Sequence, residues 1–260
     1  MKKPGVLFLF IFLMCSSKEN QKNHDADFNR EFGDQSTSAD SINQDTVLFN
    51  LFVIPSLSYT EAKSELLSIR DSFQKSYVNT SDSLEKELII AKAGQVVTEA
   101  IIKKIIPFWY GTSWSFEGHT SIPGSGEVAC GYFVSTVLRD AGFNVNRYKL
   151  AQQGPEDEAR IISCSGEVTE LSSDSITHFF KDKEDGLYFA GLDFHVGFML
   201  KKKGRTYFIH SNYINSAGVM AEEAPRAPAF RSAVYFVVGI SNNRPLIENW
   251  ILNRKLNTNL

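Results

Sequence analysis

Apolar and polar positions follow two periods along this chain, helical in the first half and strand-like in the second. Between Thr60 and Tyr77, Ala62, Leu66, Ile69 and Phe73 recur at helical spacing. A second helix is predicted from Asp82, which with Glu85 makes a capping-box-like start, through Ile106 to the stop at Pro107. Leu84, Leu88, Ala91, Ile101 and Ile105 are its expected core face, interrupted by Glu85, Lys86, Lys92, Lys103 and Lys104 and so not a membrane span. Phe133, Val134, Val137 and Leu138 mark a third helix that begins at Cys130 and ends at Asp140 and Gly142. Two short helices follow, Tyr148–Gln153 and Pro155–Ser163, the latter opening on Pro155 and the acidic run Glu156, Asp157 and Glu158. The period then falls to two in GLYFAG (186–191), HVGFML (195–200), RTYFIH (205–210) and SAVYFVVGI (232–240). A terminal helix is expected over 245–257, with Leu246, Ile247, Trp250 and Ile251 inward. Helices followed by strands that can pair antiparallel give an α+β fold class.

The ends of the chain read differently. Lys2 and Lys3 precede an apolar run from Val6 to Met14, too short to span a bilayer as a mature helix, and Cys15 follows directly. The layout resembles a bacterial lipoprotein signal (1–15) with Cys15 as the lipid acceptor, which implies attachment to the membrane of the cell envelope through an N-terminal lipid. An ordinary secretory signal and an uncleaved anchor are the alternatives. Residues 16–47, rich in Ser, Asn, Asp and Gln, lack the apolar content for a core and read as a flexible tether. VLFNLFVI (47–54) is a strand or a packed lead-in to one domain, 48–260. Removing Lys2 and Lys3 takes the formal net charge from −3 to −5. With no basic cluster beyond Lys201–Lys203, that balance argues against nucleic acid as a partner.

The candidate chemistry starts at Cys130. Pro123, Gly124 and Gly126 keep the preceding stretch in a loop, so the thiol falls in a first helical turn. There the helix dipole and unpaired N–H groups are expected to lower its pKa and favour thiolate. The competing reading is a small buried hydrophobe. His195 heads one apolar run and His210 ends the next, and a short charged link containing Gly204 joins the two runs as a hairpin. The two histidines should therefore be neighbours at one end of the sheet. A thiol, a histidine base and a second polar group that orients the base are the parts of a thiol hydrolase. A Cys130–Cys164 disulfide, which would abolish the nucleophile, stays open, and Cys164 otherwise reads as structural. His178 reads as a surface or packing histidine.

The segments GTSWSFEG (111–118), ACGYFV (129–134), DGLYFAG (185–191), HVGFML (195–200) and FIHSN (208–212) resemble, in order and wording, the NlpC-type cell-wall peptidases, a branch of the papain-like cysteine hydrolases. Members of that family carry GTPYxxGG, DCSGFV, GDLVFF, HVGIY and FIHAS segments in the same order. The resemblance spans roughly residues 85 to 240. It implies a papain-like fold, with N-terminal helices, the nucleophile helix among them, packed on an antiparallel sheet. It also implies Cys130 as nucleophile, His195 as general base and His210 as orienting group, acting on an amide in a peptidoglycan stem peptide without a cofactor. Trp114 takes the place of the family's tyrosine and is the expected oxyanion residue beside the Cys130 N–H. His119, in the loop before the nucleophile, is a substrate contact or simply solvated. Ala129, Gly131 and Tyr132 replace Asp, Ser and Gly of the family, and Glu117 replaces the first glycine while Gly118 keeps the second. These departures fall on the cleft. They leave open acyl transfer or hydrolysis of another amide or thioester, and a catalytically silent binding module. A zinc site on Cys130, His195 and His210 ranks last, because neither CxxC nor HExxH spacing supports it.

Overall fold

Ser58 opens the first described helix with a capping box: its hydroxyl accepts from the Glu61 N–H while the Glu61 carboxylate accepts from the Ser58 N–H. This is a computed structural model, and it describes Leu51, Val53 and residues 55–164 and 168–258; the lipoprotein-type signal, Cys15 and the tether lie outside those residues. Helix α1 runs Tyr59–Asn79, and α2 runs Ser83–Ala100 from an Asp82 cap that accepts from Leu84 and Glu85 N–H groups. α2 continues through a π-turn, Ile101–Ile105, and a short 3-10 turn that ends at Phe108. Helix α3 is Cys130–Asp140, α4 Arg147–Ala151 and α5 Pro155–Ser163.

Strand β1 (Thr169–Ser172) leads into α6 (Ser173–Lys181), and β2 (Gly186–Leu192), β3 (Val196–Lys202), β4 (Arg205–Asn212), β5 (Gly218–Glu223) and β6 (Val234–Gly239) follow. α7 (Arg244–Ile251) closes the chain of elements. The strands form one sheet in the order β1-β6-β2-β3-β4-β5, and every neighbouring pair is antiparallel. The fold class is thus α+β, with helices on a six-stranded antiparallel sheet.

Strand alternation sends Leu187, Phe189, Phe198, Leu200, Tyr207 and Ile209 to the helix-bearing face. Tyr188, Ala190, Met199 and Phe208 go to the other face, under α6 and the short turns around Phe230. The sheet is consequently covered on both sides. Lys203 and Gly204, both at positive φ, make the tight β3–β4 turn.

Three expectations are corrected. On α2, Leu84 and Leu88 are exposed, Ala91 with them, and the buried stripe is Ile90, Ala93, Gly94 and Val97 before it reaches Ile101 and Ile105. Apolar residues surround more than half of this helix, and a backbone contact selects the face: a Cβ on Gly94 would stand 2.2 Å from the Ser241 carbonyl oxygen. The terminal helix stops at Ile251, because Asn253 turns left-handed at φ 51°. α3 is also more than amphipathic, since Ser135 and Thr136 on its other side are fully buried as well. Tyr59, Trp109 and Asp140 secure its C-terminal end: the Trp109 indole donates to Tyr59 Oη at 2.9 Å, and Tyr59 donates to Asp140 at 2.7 Å.

Candidate active site

A loop held at both ends delivers Cys130 to the sheet. Val128 N–H donates to the Ser113 carbonyl, Ala129 N–H to that of Gly118, and the Ser211 hydroxyl of β4 to the Val128 carbonyl at 2.6 Å. Gly118 is sterically required, because a Cβ there would lie 2.6 Å from the Val128 nitrogen. Arg147 is buried and clasps the same loop through Nη2, which donates to the carbonyls of His119 (2.7 Å) and Thr120 (2.8 Å). Gly131 lets α4 press in: a Cβ there would stand 2.7 Å from the Ala151 carbonyl oxygen.

Cys130 is the first residue of α3, and the preceding Ala129 has no side chain with which to cap the helix. The N–H groups of Val196 at the start of β3, of Gly131 and of Cys130 itself lie close enough to the sulfur to favour thiolate. Burial nevertheless prevails. Desolvation, the largest cause, lifts the thiol above its ordinary pKa despite those N–H groups. The lowering expected from the helix terminus is therefore overturned, and burial favours the neutral thiol at Cys130. Cys130 and Cys164 are both free, so the disulfide left open by the sequence is not formed. Cys164 ends α5 as a left-handed cap, in keeping with a structural role.

His195 follows a tight turn closed by Leu192 N–H to the His195 carbonyl at 2.7 Å. It immediately precedes Val196, whose N–H lies near the sulfur. In the β3–β4 register Phe198 faces Ile209, so His210 lies diagonally across from His195 on the same face of the sheet. Gly197 makes this approach feasible: a Cβ there would lie 2.6 Å from the Phe208 ring and 2.9 Å from His210 Cβ. His195 Nε2 and His210 Nδ1 are 2.7 Å apart, and His210 Nε2 is 3.0 Å from Glu222 Oε1 on β5.

This chain fixes the tautomers. A carboxylate only accepts, so His210 donates from Nε2 and its bare Nδ1 accepts from His195 Nε2–H. His195 is left with a bare Nδ1, an acceptor. Both rings are buried. Burial, with His210 adding to it, pushes His195 down to about 3 from 6.5. Burial also lowers His210, against an opposing pull from Glu222. The two nitrogens face each other as hydrogen-bond partners, whereas ligands on one tetrahedral zinc would stand about 3.3 Å apart for bonds of ~2.0 Å. Among the described residues no group of three or more His, Cys, Asp or Glu side chains is placed to hold a metal ion.

Trp114 stands one ring removed from His195: its ring is 6.3 Å from that of Tyr213, which is 5.1 Å from His195. His119 is exposed, donates from Nδ1 to the Glu117 carbonyl at 2.8 Å and packs 6.1 Å from Tyr132. His178 is exposed on α6, away from the site. Sequence reasoning missed Glu222, Glu158, Arg147 and Tyr213. Glu222 sits on a strand too short and too rich in Glu to be foreseen. Glu158 had a signal, since it lies three residues before Ile161 on what proves the buried face of α5.

Comparisons of the chain with known protein families, with curated proteins and with solved structures give no match. One cavity, of about 260 Å³, is lined by Glu170, Leu171, Ser172, Ala233 and Val234 at the β1 edge, with no candidate residue among them. No helix among the described residues is long and apolar enough to cross a membrane.

Proposed function

We propose that this chain is a papain-like cysteine hydrolase of amide bonds, with Cys130 as nucleophile, His195 as base and His210 as its orienting partner. The observation that carries this reading is the continuous chain Glu222–His210–His195, in which His195 immediately precedes Val196, whose N–H lies close enough to the Cys130 thiol to favour thiolate. His195 Nδ1 takes the thiol proton as sulfur attacks the carbonyl carbon. The oxyanion forms against N–H groups at the start of α3, with the Trp114 indole as a further donor. Collapse expels the amine, which leaves with the proton from His195, and an acyl thioester remains on Cys130. Water then loses a proton to His195 and attacks the thioester, which releases the carboxylic acid and restores the thiol.

A neutral thiol and a neutral imidazole suit this order of events, because proton transfer then accompanies attack rather than preceding it. By the family resemblance the substrate is a stem-peptide amide of peptidoglycan, and the lipoprotein-like start of the chain supports an address at the cell envelope. The full chain incubated with purified sacculi is expected to release fragments detectable by mass spectrometry, and Cys130→Ala to release none above background. Equal release by both proteins would overturn the reading. The raised thiol and the ACGY wording favour a second one, a silent binding module of the same fold. It predicts retention on sacculi without release by either protein.

A further inference from the structure

Three rings stand against the His195 imidazole, each nearly perpendicular to it: His210 with centroids 4.9 Å apart, Tyr213 at 5.1 Å and Phe208 at 5.6 Å. His210 and Phe208 belong to β4, are wholly buried and stack on each other at 4.3 Å. They make a fixed inner wall. Tyr213 differs from both, because it lies just past the end of β4, in the loop 213–217 that leads to β5, and is 44% exposed. His195 itself is only 4% exposed. Of the three rings, Tyr213 is the one that also meets solvent.

The loop is strained where it holds that ring. Asn215 and Ser216 both take left-handed backbone, at φ 52°, where residues with a Cβ are uncommon, and Gly218 follows at φ 80°. Such strain persists only where the surroundings over-determine it. Here Asn212 Oδ1 accepts from the Ile214 N–H at 2.9 Å, and the Ser216 and Ala217 N–H groups donate to the Tyr213 and Ile214 carbonyls at 3.2 and 3.1 Å. At the far end the Val219 N–H donates to the Thr112 carbonyl at 2.9 Å, and two residues beyond Thr112 the Trp114 ring stands 6.3 Å from that of Tyr213. An imidazole that turned outward would gain water and lose its bond to His210 Nδ1, so a ring on the solvent side of His195 bears on both.

We infer that Tyr213 is a positioning residue for His195: its ring keeps the imidazole turned in towards His210 Nδ1 and keeps water off it. The hold stands on these contacts, and its part in turnover rests on the hydrolase reading. The titratable groups around His195 are His210 on β4 with Glu222 behind it on β5, Asp193 in the preceding turn with its carboxylate on the Ala233 N–H, and Cys130 near the Val196 N–H. A substitution at Tyr213 leaves each of them in place.

In the full chain labelled with 13C-histidine, NMR follows the imidazoles against pH, and His195→Gln assigns the signal. The parent His195 should stay neutral into the acid range, since burial pushes it down to about 3. In Tyr213→Ala it should take up its proton at least about one pH unit higher than in the parent, and in Tyr213→Phe, which keeps the ring, where the parent does. The limiting rate of fragment release from purified sacculi should fall about tenfold in Tyr213→Ala, with the half-saturating sacculus concentration within about twofold of the parent's. A residue that merely packs would lower the melting temperature and leave the His195 titration where it was, which overturns the inference. So does an equal displacement in Tyr213→Phe, or release at the parental rate by Tyr213→Ala. A displaced titration with no release by the parent keeps the hold on His195 and removes the hydrolase reading.

Discussion

Two glutamates flank the candidate nucleophile and base, and they behave in opposite ways. Glu222, half-buried on β5, has its carboxylate against His210 Nε2 at 3.0 Å, with Asn212 Nδ2 at 3.5 Å. Glu158 on α5 is fully buried, its Oε1 has no hydrogen-bond partner, and burial alone raises its pKa well above 4.5. The first is a charge with a donor to act on, and through two rings it sets the tautomer of the base. The second stays protonated, because an ion there would face an apolar interior with nothing to balance it. Identical side chains thus divide into an electrostatic anchor and a neutral filler, according to whether a donor was built beside them.

Variants should sharpen that contrast. Cys130→Ala sets the scale, with amide turnover expected to fall by at least about a thousandfold, whereas a residual rate within tenfold of the parent would remove the thiol from the mechanism. Glu222→Leu should cost about a hundredfold in kcat, because the imidazole pair loses both its fixed tautomer and the charge that balances the imidazolium. Glu222→Gln, whose side-chain oxygen still accepts, should recover most of that loss; if Gln and Leu are equally impaired, Glu222 does not act through the tautomer.

The histidine pair predicts acid lability. Both rings bind protons more weakly when folded than the ordinary 6.5, His195 down to about 3, so the stability they contribute is complete above 6.5 and is lost as pH falls towards 3. Thermal unfolding followed from neutral to acid pH should show a steep decline in that window, and His210→Phe should flatten it. Glu158 has the reverse sign: its carboxyl is raised, so its contribution is complete below about 4.5 and declines as pH rises. Glu158→Gln is expected to have the smallest effect, a gain in melting temperature over the parent that grows with pH. An unchanged difference across the range would mean that Glu158 is not buried neutral.

The period of the sequence made much of this fold legible. The α3 face, the β3–β4 hairpin and the inward residues of α7 all lie where periodicity placed them, because each is a long run with one spacing and clear punctuation at Gly142, Gly204 and Pro245. β1 and β5 were not legible: TELS and GVMAEE are short and polar, and only pairing with β6 and β4 makes them strands. At the site, the proximity of His195 and His210 follows from hairpin geometry alone. The thiol's pKa does not, since a helix terminus is local and readable whereas desolvation depends on everything that packs around Cys130. Glu222 was hidden for the same reason as its strand.

Arg147 anchors residues 119 and 120 to the same helical layer that carries the thiol. The approach to Cys130 is therefore already ordered before anything binds, and no segment between 111 and 129 has to swing shut over a guest. Alkylation of Cys130 should follow simple second-order kinetics without a lag, its speed governed by encounter rather than by a closing motion.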